Sequence, residues 1–361
     1  MNSLEIDSQS STLVAAKQAF TQFVNRIPKT ASVVALHDSD ADGVTAGVVW
    51  QRALERAGFE QVQRVIPDRE RNPWTPANKE KLQAIAPEYL FVMDLGSRSE
   101  PVLAGTPTCF VDHHHPEGTP AGDTLISAYT WDPIPNTSWL LWELGQEIAD
   151  IADLDWVAAI GTLSDLGDKA PFELLTAAKK KYTAKYLKEA TALINASRRA
   201  SHYIPEAAAA ALLNHSDPKS LVNSASPEVE QLRQAREEVK AELEAARKVA
   251  PVFAGKVALL QLDSPCQVHP LIAQSWRGRL PEYVVIAANK GYLPGRVNFS
   301  ARSNSVNVLE FLRSHPLPDG DGSYANGHDQ ASGGSLSCDR WEALLTQLGF
   351  SESVLKGSKN K

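Results

Sequence analysis

The sequence predicts an α/β protein of two domains joined by a helical connector. Three observations predict it. At 361 residues the chain exceeds what one hydrophobic core usually holds. Its first half alternates short apolar runs with helical patterns, which reads as a parallel sheet covered on both faces. A long, densely charged helical stretch then precedes a second, shorter set of strands and helices.

The elements follow in order. "SVVALH" (32–37) reads as a buried strand and "GVTAGVVWQRALERAG" (43–58) as a helix ending at Gly58. "ANKEKLQAIA" (77–86) is a helix stopped by Pro87; "YLFVMDLG" (89–96) and "TCFVDHH" (108–114) are strands. From about Pro135 to Lys219 the pattern is almost entirely helical. "SPEVEQLRQAREEVKAELEAARKVA" (226–250) has Ser226 as N-cap and Pro227 at the first helical position, and is the candidate interdomain helix. Beyond it, "KVALLQLDS", "YVVIAANKGY" and "GRVNFSARS" read as strands, "NVLEFLRS" and "RWEALLTQLG" as helices, and "SESVLKGSKNK" as a frayed tail. The expected division is a parallel-sheet domain over 1–190, a connector over 191–250 and a smaller α/β domain over 251–361.

Composition is that of an ordinary globular protein, and the net charge of −7 argues against non-specific duplex binding. A nucleic-acid partner would be held locally. Cys109, Cys266 and Cys338 are far apart with no CxxC, which suits a reducing cytoplasm. The first residues carry acids and no apolar signal core, and no run reaches the roughly 18 apolar residues of a membrane span.

"LHDSDADGVTAG" (36–47) sets Asp38, Asp40 and Asp42 on alternate positions where a strand ends. Crowded carboxylates oppose each other's ionisation, so a positive partner is expected. A calcium EF-hand loop begins this way but needs Glu at its twelfth position, where this chain has Val49. Asp94, then Asp112 with His113 and His114, then Asp165 close later elements. In an open parallel sheet such ends converge on one crevice. Carboxylates with imidazole and no thiolate suit Mn²⁺ or Mg²⁺, and two ions about 3.5–4 Å apart can clamp an in-line displacement at phosphorus. Taken singly, a strand-end Asp is a helix cap or turn residue and a lone His is structural. Asp132, Asp168 and His115 belong with that bland reading.

"DSDADG", "MDLG", "VDHHHP" and "GTLSDLGD" resemble motifs I to IV of the DHH phosphoesterase superfamily, and "NGHDQASGGSL" (326–336) with "VNFSARS" (297–303) resembles its DHHA1 substrate-binding domain. The resemblance runs from about Ala31 to Phe350. It implies a hydrolase using two Mn²⁺, with Mg²⁺ as the alternative ion. The implied ligands are Asp40, Asp42, Asp94 as the bridge, His113 and Asp165. His37 and Asp38 compete for a further place, and the RecJ-like pattern favours Asp38. It implies His114 near the scissile phosphate and Asp112 as the partner that orients the histidines. Arg302, Ser303, Gly327 and His328 match substrate-contacting positions. The "SGG" glycines read as allowing close backbone approach to a phosphate or base, or as a plain tight turn, and Asn326 departs from the usual glycine.

Members with both domains include RecJ-type single-strand exonucleases, nanoRNases that also cleave pAp, and cyclic-dinucleotide phosphodiesterases. The short lead before motif I favours the compact class, acting exonucleolytically on short single strands or small nucleotides. The alternatives are longer single-stranded DNA or RNA, pAp or cyclic dinucleotides, or a non-catalytic DHH scaffold. A homodimer stays open. Arg198 and Arg199 read as solvated surface, with contact to a longer strand as the alternative.

Overall fold

In the computed structural model, residues 4–317, 324–351 and 353–354 are described, without the side chains of 4–11 and 326–328; most of the tail expected to fray lies outside them. The chain forms two compact units, Met1–Arg198 with Tyr203–Arg233, and Arg199–His202 with Gln234–Lys361. The division falls inside the charged helix Pro227–Ala246.

The first unit is built on a five-stranded sheet of order β2-β1-β3-β4-β5. The strands are β1 (Ser32–His37), β2 (Gln61–Val65), β3 (Tyr89–Met93), β4 (Thr108–Asp112) and β5 (Thr124–Ser127). Every pairing is parallel. Continuous apolar runs are what a doubly covered sheet requires, because successive side chains point to opposite faces. Val33, Ala35, Phe91, Met93 and Val111 pack on one face with Trp50, Phe20 and Phe23. Val34, Leu36, Leu90, Val92 and Phe110 pack on the other with Trp74 and Leu82. Strands β2 and β5 escaped the sequence reading. Strand β2, "QVQRV", is an exposed edge with polar alternate positions, and β5 is only four residues long.

The sheet order changes direction between β1 and β3. From β1 the chain passes through helix Ala41–Arg56 to β2 on one side, then through helix Pro76–Ile85 to β3 on the other. Ligands of open α/β sheets bind beyond the carboxyl ends of the strands at such a switch. Asp38 and Asp94 directly follow β1 and β3.

The second unit holds a six-stranded mixed sheet of order β10-β11-β9-β8-β7-β6. Its strands are β6 (Val252–Ala254), β7 (Val257–Leu262), β8 (Val284–Asn289), β9 (Arg296–Arg302), β10 (Tyr324–His328) and β11 (Ala331–Ser337). Strands β7 and β8 are parallel, joined through helix His269–Arg279; the other pairings are antiparallel. Phe299, Trp341, Leu259, Ile286 and Leu344 fill its core. The glycine-rich stretch is a hairpin of β10 and β11, so the tight-turn reading of "SGG" is corrected. Gly333 lies opposite Ser300 in the ladder, and a Cβ there would come within 2.3 Å of the Phe299 carbonyl oxygen. Close strand approach, rather than a turn, requires the glycine.

Candidate metal centre

The loop after β1 folds the way its sequence dictates. Asp40 is the N-cap of helix Ala41–Arg56, its Oδ1 accepting from the Asp42 and Gly43 amides at 3.0 and 3.1 Å. The cap leaves Oδ2 of Asp40 directed elsewhere, so the bland and functional readings hold together. Gly43 must be glycine, because a Cβ would lie 2.4 Å from the Asp38 carbonyl oxygen.

Asp94 sits one residue beyond β3 with φ of 63°, in the left-handed region that non-glycine residues seldom occupy. Such a conformation costs on the order of 1–3 kcal/mol. It places Oδ1 of Asp94 3.3 Å from His113 Nε2 and 2.9 Å from the Thr137 hydroxyl that donates to it. Asp165, in the last turn of helix Asp155–Leu166, brings Oδ2 to 3.8 Å from His113 Nε2.

The side chains converge in overlapping groups. Asp38, Asp40 and Asp94 form one, Asp42, His113 and Asp165 a second, and Asp94, Asp112, His113 and His114 a third; within each, the donor atoms lie within 4.8 Å of one another. Asp94 and His113 each belong to two. The donors are carboxylate oxygens and imidazole nitrogens, the set suited to hard or borderline divalent ions.

Their electrostatics demand positive charge. Two ionised carboxylates at this spacing repel by about 3–4 kcal/mol at an effective dielectric near 20. Burial pushes Asp42 up to about 7, with Asp165 and Asp40 adding like charge. Burial, then Asp42 and Asp40, hold Asp94 well above the usual carboxylate range. Asp38 is raised by burial despite Arg71, whose Nη1 stands 2.9 Å from its Oδ2. Asp40 is the exception. Burial raises it, but Arg198 and Arg71 outweigh burial and hold it near 2.

Asp112 is hydrogen-bonded to both tandem histidines, through the backbone of His113 and through the backbone and ring of His114. Its Oδ1 accepts from the His113 and His114 amides and from Nδ1 of His114 at 2.7 Å, and Oδ2 accepts from the Gly96 amide. Burial opposes a charged His114, but Asp112 prevails and raises the imidazole to about 9.

Asp38, not His37, joins the cluster. The His37 ring is fully buried against Gly47, with Nδ1 donating to the Asp38 carbonyl at 2.7 Å and Nε2 facing Arg64 at 3.5 Å.

Four participants escaped the sequence reading. Asn136, Thr137 and Ser138, at the start of helix Thr137–Gly145, donate to Asp42: Asn136 Nδ2 at 2.5 Å and the two amides at 3.0 and 2.8 Å. The run "NTS" before an apolar helix was the available signal. Arg71, in a polar loop, had none. Arg198 is a correction: its side chain is 12% exposed, with Nη2 3.6 Å from Asp40 Oδ2. Helical periodicity reveals a face but not the carboxylate that face meets. The residues kept with the bland reading are structural here: Asp168 pairs with Lys179 and Lys188, His115 packs edge-on to Tyr129, and Asp132 precedes a cis proline.

In the second unit, Arg302 ends β9 with Nη1 donating to the Ala301 and Ser332 carbonyls. Burial, then the neighbouring Arg277, lowers it to about 10. Arg277 is a further residue the sequence reading missed. The Ser303 hydroxyl donates to the Tyr283 carbonyl and accepts from the Ser305 and Val306 amides, closing the turn after β9. Gly327 and His328 pair with Ser332 and Ala331 through the backbone; their side-chain positions lie outside the described residues.

No family model and no curated protein matches this sequence. Solved structures do match. RecJ of Thermus thermophilus in complex with Mn²⁺ is 19% identical, with a TM-score of 0.67, over 92% of this chain and 54% of that one. The chain thus spans about half the length of that relative. An exonuclease RecJ bound to manganese, also 19% identical, matches with a TM-score of 0.63 over 94% of this chain and 96% of that one. The DHH domain of a member of a ribosomal-protein family is 17% identical, with a TM-score of 0.66, over 98% and 93%. Likeness at these identities is likeness of fold, and it takes in both units. The chain has the fold shared by RecJ and that DHH domain.

Proposed function

We propose that this chain is a divalent-metal-dependent phosphodiesterase acting on nucleic acid or nucleotides. The observation that carries this reading is the convergence of Asp38, Asp40 and Asp94 with Asp42, His113 and Asp165 at the switch point between β1 and β3. The donor set fits a pair of divalent cations: burial pushes Asp38, Asp42 and Asp94 towards neutrality, and a bound cation would favour their charged forms. Asp38, Asp40, Asp42, Asp94, His113 and Asp165 would hold them, Asp94 serving both. Mn²⁺ is the ion proposed, with Mg²⁺ as the substitute. When bound, such ions supply Lewis acidity at a phosphate and an acidified water.

The chain's own groups do the rest. Asn136, Thr137 and the Ser138 amide fix the orientation of Asp42 and Asp94, so that the cluster is set before a ligand arrives. His114, held protonated by Asp112, keeps a proton on its imidazole for the leaving oxygen of a phosphodiester. In the second unit, Arg302 beside Arg277 is a cation pair that an anionic phosphate would relieve. Arg302, Ser303, Gly327 and His328 are proposed as the substrate-contacting set, on sequence resemblance. The substrate class is a short single-stranded oligonucleotide or small nucleotide attacked from an end, in the cytoplasm.

All six proposed ligand positions are filled, which argues against a scaffold without catalysis. The test is a substrate panel with Mn²⁺: pAp, dinucleotides, cyclic dinucleotides, short oligomers and long single strands. Turnover of at least one, lost in Asp94→Ala, is expected. No turnover of any, with the protein folded and Mn²⁺ bound, overturns the reading.

A further inference from the structure

A chain of net charge −7 carries, between residues 167 and 199, eight Lys and Arg against three Asp and Glu. Helices Glu173–Tyr182 and Ala184–Arg199 supply most of them. At one end, Arg198 reaches Asp40, and its Nε is buried with no hydrogen-bond partner among the described residues. One turn earlier, Asn195 donates to the hydroxyl of Ser164, the residue before Asp165, at 2.7 Å. Two turns earlier again, Lys188 converges with Lys179 of the preceding helix on Asp168, at 3.1 and 3.0 Å. Two cations on one carboxylate leave an excess of positive charge three residues beyond Asp165.

Farther along, Lys185 and Lys219 flank the half-buried ring of Tyr186, each ammonium 5.9 Å from its centroid. Lys169, Lys180, Lys185 and Lys219 are exposed and pair with no acid among the described residues. Lys188 and Lys185 lie about 15 and 20 Å from Arg198 along the helix axis, at 1.5 Å per residue.

We propose that this line of cations is a rail for the phosphates of a single nucleic-acid strand running away from the acidic cluster, with Tyr186 as a stacking face for a base. The proposal rests on the phosphodiesterase reading and extends it from short oligomers to a strand several nucleotides longer. A negative total charge does not oppose it, because counterion release depends on the local contacts a strand makes. The chemistry favours a strand over an anionic membrane. A membrane-surface helix needs an exposed apolar face beside its lysines. The large hydrophobic residues exposed among the described residues are Val14, Ile134, Val252, Phe253 and Val306, none of them in this stretch. An aromatic ring between cations is what single-strand binders use.

The experiment compares the parent chain with the triple variant Lys185→Gln/Lys188→Gln/Lys219→Gln and a control, Lys81→Gln/Lys240→Gln/Lys248→Gln, which loses the same charge elsewhere. Binding of a labelled single strand of about 15 nucleotides is followed by fluorescence anisotropy in EDTA. The rail variant should bind about tenfold more weakly. Its slope of log affinity against log salt should shrink by about 2, at roughly 0.7 per lost phosphate contact. The control should bind as the parent does. Equal loss in both variants, or no loss in the rail variant, overturns the proposal. So does binding to phosphatidylserine vesicles that the rail mutations abolish while strand binding is unchanged. Hydrolysis by the parent chain, assayed separately on a dinucleotide with Mn²⁺, tests the reading beneath it: a rail that binds without hydrolysis leaves the rail standing and removes the phosphodiesterase.

Discussion

The two units withdraw ionisable groups of opposite kind from water, fully in one and partly in the other. The first gathers Asp38, Asp42 and Asp94 at the ends of two parallel strands, where burial raises all three carboxyls. The second leaves Arg302 beside Arg277, where burial lowers the guanidinium to about 10. Each region is costly as it stands, and under the proposed function each would be relieved by a ligand of opposite sign: cations for one, a phosphate for the other. The comparison teaches that the electrostatic cost is concentrated at the two places proposed to meet a ligand. The supports differ accordingly. Rigid strand ends, a helix N-terminus and a strained Asp94 fix the acidic cluster. Backbone carbonyls of adjacent strands fix the arginine.

Four outcomes would sharpen or break that contrast. Asp94→Ala removes the carboxylate proposed to serve both ions, so Mn²⁺-dependent turnover should fall well beyond the roughly 10–100-fold typical of a supporting residue. Steady-state rates at saturating Mn²⁺ read this, and near-normal rates would break the assignment. His114→Ala should lower kcat about 100-fold or more, the scale of a lost general acid, while Mn²⁺ affinity by titration calorimetry changes little. A comparable loss of Mn²⁺ affinity would make His114 a ligand instead.

Arg302→Ala should raise KM for nucleotides by about tenfold to a hundredfold, the scale of a lost charge-assisted hydrogen bond, with Mn²⁺ affinity unmoved. A kcat loss without a KM change would erase the division of labour between the units. The smallest effect is thermal. Asp42, raised to about 7 in the fold, binds a proton that the unfolded chain releases near 4. Its contribution to the stability of the metal-free fold is full below the unfolded value and is lost as pH rises through about 7. A bound Mn²⁺ would take the place of that proton, so the Mn²⁺-induced rise in Tm should be larger at pH 8 than at pH 6. Differential scanning fluorimetry at both values measures it, and the reverse order would contradict the buried-acid picture.

The legible parts of the site are those that announce themselves locally. Asp38, Asp94 and Asp112 each close an apolar run, so strand and carboxylate could be read together, and parallel-sheet topology then predicts convergence. Asp40 was legible as a cluster member; that it also caps the helix shows only in the structure, where the helix begins at Ala41 rather than Gly43. What stayed hidden has no local signature. Arg71 and Arg198 lie 31 and 158 residues from Asp40 in the chain, and nothing around either points to a carboxylate. Thr137 donates to a residue 43 positions earlier. The "SGG" run was open to approach by a phosphate or base or to a turn, because glycine permits many conformations; only the neighbouring strand β9 shows that crowding by Phe299 requires Gly333.

By itself, the sequence determined the two α/β units, the strand-end carboxylates and tandem histidines, and the resemblance that joins them. The units rest on periodicity and the resemblance on short motifs, and both are properties of short stretches. The tertiary structure alone decided that Asp38 rather than His37 joins the cluster, that Arg198 is drawn to Asp40, and that the helix at Thr137 grips Asp42 and Asp94. Those choices depend on which elements become neighbours and on how burial weights their charges, and neither quantity exists until the chain has folded.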